Sequence, residues 1–89
     1  MKSYQITVSG RVQRVGFRFH THKTAVAMGV KGFVINKPNG DVYIEAEGYN
    51  QNLNEFISWC RKGPDWSTVT NIKIIEQPVC NYKKFEIKG

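Results

Sequence analysis

The nine residues from Gly10 to Arg18 are the part of the chain best suited to binding an anion. They read Gly-Arg-Val-Gln-Arg-Val-Gly-Phe-Arg. Glycine lets backbone N–H groups turn toward an anion without a side chain in the way. If the segment leads into a helix, the unpaired N–H groups and the helix dipole also favour an anion, and Arg18 offers a planar fork of donors to phosphate oxygens. On these residues alone, a phosphate site competes with a plain glycine turn beside a solvated arginine.

The apolar pattern around this segment predicts the elements that hold it. Apolar and polar residues alternate at 4–8, which is typical of a half-buried strand. Helical spacing follows, and we expect that helix to end at Gly29, which accepts the left-handed conformation of a helix stop. The residues at core-facing spacing are His22, Ala25, Val26 and Gly29.

The rest of the chain predicts two strands, a second helix and two further strands. Their ranges are 32–35, 41–47, 53–60, 69–76 and 85–87. The Lys37-Pro38-Asn39-Gly40 turn joins the first two strands into a hairpin. Gly63-Pro64 ends the second helix, because proline cannot continue it.

This order, β-α-β-β-α-β with a short extra C-terminal strand, predicts an α+β fold, the ferredoxin-like α/β sandwich. Both helices should pack on one face of an antiparallel sheet and leave the other face to solvent. The strands joined by the first helix should be parallel, so that their carboxyl ends lie at one edge. The Gly10–Phe17 loop leaves the first of these strands, and Asn36 ends the second. We therefore expect the loop, the helix start and Asn36 to converge.

Two motifs at a matching distance make the chain resemble the acylphosphatase family. The family loop reads Gly-x-Val-Gln-Gly-Val-Gly-Phe-Arg, and the next strand reads Leu/Val-x-Gly-Phe/Trp-Val-x-Asn. Here GRVQRVGFR and VKGFVIN stand at these places. The resemblance also includes Gly63-Pro64 and the final short strand, and it implies a single acylphosphatase-like domain over residues 1–89.

Carried over residue by residue, the resemblance implies two catalytic residues. Arg18 matches the family's phosphate-binding arginine, and Asn36 matches the asparagine that holds the attacking water. The loop amides that would complete the phosphate site belong to Gln13, Arg14, Val15, Gly16 and Phe17. Family members hydrolyse the carboxyl–phosphate bond of small acyl phosphates without a metal or other cofactor. The chemistry agrees, because a carboxylate leaving group (pKa near ~4) needs no protein acid.

One residue departs from the family pattern, which has glycine at the position of Arg14. If the backbone there is left-handed, a non-glycine residue costs ~1–2 kcal/mol. The alternative is that Arg14 fits the loop and adds a second cation beside the site. We expect activity that is retained but altered, in a direction that the sequence leaves open.

The remaining candidates are assigned structural roles. His20 and His22 are interpreted as packed or solvated helix residues, and the side chain of Gln13 as a brace for the loop. Two histidines and two distant cysteines do not match the ligand spacing of a metal site. Cys60 completes the apolar stripe of the second helix, whereas Cys80 lies in a loop. Trp59 and Trp66 are expected to pack around the second helix.

Composition sets the class of protein. The chain has 89 residues, of which 40% are hydrophobic, and 13 Lys and Arg against 7 Asp and Glu give a net charge of +6. Two cysteines are too few for a disulfide-stapled secreted fold, and neither a signal peptide nor a membrane span is evident. We therefore expect a cytoplasmic, monomeric hydrolase that acts on a small acyl phosphate, with no metal, membrane or nucleic-acid partner.

Two other functions remain open at this point. RNA-recognition domains share this strand and helix order, and a basic chain suits a polyanion. Their aromatic motif lies on the third strand, however, and here that strand offers only Tyr43. Acylphosphatase-like modules also occur inside larger carbamoyl-transfer maturation proteins. We favour a free-standing hydrolase, because the chain ends with the fold.

Overall fold

The computed structural model describes residues 1–89 and has the predicted order of elements. The bounds are β1 Lys2–Arg11, α1 Phe17–Ala27, β2 Lys31–Asn36, β3 Val42–Gly48, α2 Asn50–Lys62, β4 Thr68–Gln77 and β5 Phe85–Lys88. Gly29 and Gly63, the predicted helix stops, both have positive φ, at 69° and 72°. Neither helix is long and apolar enough to cross a membrane.

The five strands form one sheet in the order β4-β1-β3-β2-β5. Both β1 and β2 pair antiparallel with β3, so they run in the same direction, as predicted. The pairing of β5 with β2 differs from the prediction of an antiparallel sheet. These two strands are parallel, which makes the sheet mixed. This follows from the path of the chain, which leaves β4 at one edge and crosses the sheet to the other edge before β5 begins.

Both helices pack on one face of the sheet, where alternate strand residues form the core. The predicted stripe of α2 is confirmed, since Leu53, Phe56 and Cys60 are buried. The predicted stripe of α1 is wrong at Val26, which is 60% exposed. The buried residues of α1 are Phe17, Thr21 and Ala25. Phe17 sets the orientation of this helix, because residues four apart share a helical face and Val26 lies one position beyond it.

The other face of the sheet is not left to solvent as predicted. Residues 78–84 cross it, and they are held by Glu47, which is only 2% exposed. The Glu47 carboxylate accepts hydrogen bonds from the backbone N–H groups of Cys80 (2.6 Å) and Tyr82 (3.0 Å). A buried carboxylate is tolerated where such hydrogen bonds replace water. The alternation of side chains along β3 predicts a solvated Glu47, and the contact with residues 78–84 buries it instead.

The two cysteines differ in their exposure to solvent. Cys60 and Cys80 are free thiols, one buried in the core and the other exposed. Burial raises the pKa of the Cys60 thiol, so it stays protonated and behaves as a small apolar residue.

Trp59 packs against Phe17 at a ring-centroid distance of 5.6 Å, as expected. The expectation for Trp66 is wrong, because its side chain is 82% exposed.

Candidate active site

The loop between β1 and α1 is anchored at both ends. Val12 and Phe17 are each only 1% exposed and belong to the core. Between them, Arg14 and Gly16 are exposed. Burial of the two ends therefore holds the intervening backbone at the carboxyl edge of β1.

Two residues of this loop have a left-handed backbone. Arg14 has φ 63° and Gly16 has φ 75°. Left-handed residues within a short turn direct successive N–H groups to one side, where they form a concave site for an anion. None of the N–H groups of residues 13–16 donates in the backbone hydrogen bonds outside the helices and strands. The first N–H groups of α1, from Phe17 onward, also lack partners within the helix. The loop and the helix start together supply a run of available donors.

Part of this loop and the start of α1 border a cavity of about 250 Å³. Its lining consists of Val12, Arg14, Gly16, Phe17, Arg18, Phe19, Asn36 and Ile87. Its lining has two guanidinium groups and no Asp or Glu side chain, so its electrostatics favour an anion. The structure thus brings Arg18 and Asn36 together at one edge of the sheet, with Arg14, Gly16 and Phe17. Of the predicted loop residues, Gln13 and Val15 do not line the cavity.

Arg18 is oriented by the end of the chain. It is the second residue of α1, and its Nη1 donates hydrogen bonds to the main-chain oxygens of Lys88 (3.5 Å) and Gly89. Sequence reasoning missed this contribution of β5 and of Ile87, which lines the cavity. No local signal could have found it, since the contact joins residues about seventy positions apart.

Asn36 is the last residue of β2, and its side chain reaches the cavity from the sheet. Its Oδ1 atom is buried and has no hydrogen-bond partner within the protein. A buried acceptor without a partner costs about 1–3 kcal/mol, so the fold holds this side chain in place at the expense of stability.

The side chain of Gln13 joins the loop to the β2–β3 hairpin. Its Nε2 donates to the carbonyl oxygens of Lys37 (2.7 Å) and Asp41 (2.8 Å), which uses both of its N–H groups. Lys37 directly follows Asn36, so the brace ties the loop to the strand end that carries the asparagine. Val15 is half-buried and packs against the core.

The histidines lie outside this cavity. The ring of His20 contacts that of Phe19 edge-on, with 5.3 Å between the centroids, and the ring centroids of His22 and Phe85 lie 6.2 Å apart. No three His, Cys, Asp or Glu residues are grouped so that they could hold a metal ion.

A second cluster of titratable groups occupies the opposite face of the sheet. The Glu45 carboxylate accepts hydrogen bonds from the hydroxyls of Tyr43 (2.6 Å) and Tyr82 and from the amide of Gln77 (2.9 Å). Burial, followed by the hydrogen bonds to Glu45, raises the pKa of both tyrosines. Burial acts to raise the pKa of Glu45 as well, but its three hydrogen bonds hold that pKa below the usual range.

This cluster bears on the nucleic-acid alternative. The ring centroids of Phe33 and Tyr43 lie 6.0 Å apart. The Lys37 Nζ lies 4.8 Å from the centroid of the Tyr43 ring, and the Lys88 Nζ lies 4.4 Å from that of Phe33. These ring faces already contact cations of the same chain, and Glu45 places a negative charge among them. The surface therefore offers little to a stacked base and its phosphate.

Comparison with known proteins gives one consistent result. The family model for acylphosphatase matches residues 4–87. An acylphosphatase of Thermotoga petrophila is 43% identical over 88 residues, which cover 99% of this chain and 98% of the relative. The crystal structure of acylphosphatase from Bacillus subtilis superposes with a TM-score of 0.97 at 36% identity, with 100% of both chains covered. HypF of T. kodakarensis superposes with a TM-score of 0.87 at 31% identity, and the match covers 100% of this chain but 12% of HypF.

Proposed function

The chain belongs to the acylphosphatase family, and from that premise we propose that it hydrolyses the carboxyl–phosphate bond of small acyl phosphates to a carboxylate and inorganic phosphate. The observation that carries the proposal is the shared cavity of Arg18 and Asn36, bordered by the free N–H groups of the loop. The reaction has two requirements that such a site meets. The phosphoryl oxygens must be neutralised, and a water must be held against the phosphorus.

The phosphoryl group is assigned to the loop and Arg18. The backbone N–H groups of Arg14, Gly16 and Phe17, which line the cavity, donate to its oxygens, and the Arg18 guanidinium supplies a positive charge in a planar fork. The main-chain oxygens of Lys88 and Gly89 hold that guanidinium before substrate arrives. Donors that are fixed in advance need no reorganisation during the reaction, which is why such arrangements stabilise the transition state.

The attacking water is assigned to Asn36. Its side-chain amide, which lines the cavity, forms a hydrogen bond with the water and so fixes the water oxygen beside the phosphorus. The water oxygen forms a bond to phosphorus as the bond from phosphorus to the acyl oxygen breaks. The electrons of the broken bond leave with the carboxylate, and the water proton passes to a phosphoryl oxygen.

The proposed reaction uses neither a general acid nor a metal. A carboxylate leaves readily without protonation, because its conjugate acid has a pKa of ~4. Arg18 and the amides carry the charge stabilisation that a metal supplies in other phosphoryl-transfer enzymes. We propose that residues 1–89 act as one free-standing, monomeric domain, because every group in this scheme comes from one chain. The two free thiols fit a reducing compartment, and we propose the cytoplasm. Coverage of 98% of the Thermotoga petrophila relative supports the free-standing form.

The test is hydrolysis of acetyl phosphate by purified protein in excess EDTA. We expect the same rate with and without the chelator. Loss of the rate in EDTA and its recovery with Mg²⁺ would contradict metal independence. A protein that hydrolyses no acyl phosphate under either condition would contradict the proposed function itself.

A further inference from the structure

Arg14 combines a strained backbone with a free positive charge at the mouth of the cavity. We propose that its guanidinium binds a second negative charge on the substrate, so that the enzyme prefers acyl phosphates whose acyl group is itself anionic. This inference rests on the proposed function and adds a substrate class to it.

The backbone at Arg14 is the first part of the argument. Its φ of 63° lies in the left-handed region, which is strained for a residue with a Cβ atom. Two positions later, Gly16 adopts the same region with no such strain. Strained residues are found most often at functional sites, where the side chain has a use that offsets the strain. The use must come from the arginine side chain, since glycine would form the same turn more easily.

The surroundings of the guanidinium are the second part. Arg14 lines the same cavity as Arg18 and is exposed. Arg18 donates to the main-chain oxygens of Lys88 and Gly89, whereas none of the side-chain hydrogen bonds of the structure involves Arg14. The Arg14 fork is therefore free to pair with a carboxylate or phosphate. Arg18 and the amides are already assigned to the reacting phosphoryl group, so the remaining partner is an anionic group elsewhere on the substrate.

Two substrates of matched shape test this preference. In para-carboxybenzoyl phosphate the acyl group carries a carboxylate, and in para-methylbenzoyl phosphate it carries a methyl group at the same place. The rigid ring prevents the carboxylate from attacking its own anhydride. The measured quantity is the ratio of kcat/KM for the anionic substrate to that for the neutral one. Any effect of a substitution on the loop amides acts on both substrates, because they share the phosphoryl group, and it cancels in the ratio.

The variants separate charge from strain. Arg14→Gln keeps a side chain in the left-handed position and removes the charge, Arg14→Lys keeps both, and Arg14→Gly removes both. We expect Gln and Gly to lower the ratio roughly two- to fivefold, the range of an exposed ion pair, and Lys to retain most of it. Added salt should lower the wild-type ratio toward that of the Gln variant. Arg11→Gln is the matched control, since Arg11 is exposed but does not line the cavity, and it should leave the ratio unchanged.

Two results would overturn the inference while acyl-phosphate hydrolysis stands. One is a ratio that is the same in the wild type and in Arg14→Gln, including the case in which both substrates lose rate equally, because Arg14 then contacts only the phosphoryl group. The other is an equal fall of the ratio in Arg11→Gln, which would assign the preference to overall charge. Failure of the wild type to hydrolyse either substrate would instead contradict the proposed function, and the inference with it.

Discussion

The side-chain amide of Gln13 donates a hydrogen bond of 2.7 Å to the carbonyl oxygen of Lys37, the residue that follows Asn36. A second bond, of 2.8 Å, reaches the carbonyl oxygen of Asp41 at the other end of the turn. The loop that is assigned to the phosphoryl group and the strand end that is assigned to the water are thereby held at a fixed separation. This coupling predicts that Gln13 is a positioning residue for the proposed reaction.

Replacement of Gln13 by Ala should lower both stability and turnover. Loss of two partly exposed hydrogen bonds should cost about 1–2 kcal/mol of unfolding free energy. A small displacement of the water relative to the phosphorus should also lower kcat, on the order of tenfold or more. Urea unfolding and steady-state kinetics with acetyl phosphate measure the two effects.

Gln5 provides the matched control for this prediction. Its Nε2 donates to Gln77 (2.9 Å) on the opposite face of the sheet, away from the cavity. Gln5→Ala should lose stability while its kcat stays near that of the wild type. An equal fall of kcat in both variants would show that Gln13 acts through general stability and not through position.

Replacement of Arg18 by Ala should nearly abolish turnover. Removal of a fixed donor to the developing charge costs about 2.7–4 kcal/mol of transition-state stabilisation, a loss on the order of a hundred- to a thousandfold in kcat. Arg61→Ala removes the same side chain from the last turn of α2 and should leave kcat unchanged. Near-wild-type turnover in Arg18→Ala would remove Arg18 from the mechanism.

Replacement of Asn36 by Ala should separate activity from stability. The variant loses the group that holds the water, so kcat should fall about a hundredfold. It also loses a buried acceptor without a partner, so its unfolding free energy should not fall. Asn39→Ala in the neighbouring turn should show the opposite pattern, because the Asn39 Oδ1 accepts the N–H of Asp41 (3.0 Å) and does not line the cavity. If Asn36→Ala kept its turnover, the water would be held elsewhere.

Local sequence patterns were sufficient to predict most of the fold and to predict that the Gly10–Phe17 loop lies close to Asn36. Glycines, the turn at residues 37–40 and the alternation in β3 each act over a few residues, and they fix the order of elements. The parallel course of β1 and β2 then places the loop near Asn36 by geometry alone. The predicted roles of Arg18 and Asn36 in catalysis stay predictions, which the variants above would test.

The features that the sequence did not predict depend on distant contacts. The orientation of α1 is set by Phe17 in the core, so its periodicity alone placed Val26 wrongly. The buried state of Glu47 depends on residues 78–84, more than thirty positions away. The hydrogen bonds from Arg18 to Lys88 and Gly89 require β5 to lie parallel to β2, which no local pattern encodes.

The Glu45 cluster should make stability depend on pH in the acid range. Because the folded-state pKa of Glu45 is lowered, its contribution is complete above the unfolded value near ~4.3 and is lost as the pH falls through the folded value. Urea midpoints measured from pH 7 to pH 3 should therefore fall more steeply for the wild type than for Glu45→Gln. Parallel curves for the two proteins would show that other carboxylates carry the acid sensitivity.

Replacement of Arg14 by Gly should stabilise the protein. Relief of the left-handed strain contributes ~1–2 kcal/mol, and the greater freedom of glycine in the unfolded chain offsets about 0.4–1 kcal/mol of it. The expected net gain in unfolding free energy is therefore about 0.5–1 kcal/mol, measured by urea unfolding. Arg11→Gly is the matched control, because Arg11 lies in β1 without positive φ, and glycine within a strand costs about 0.5–1 kcal/mol. The two exchanges should shift stability in opposite directions, and a loss in both would mean that the loop at Arg14 is not strained.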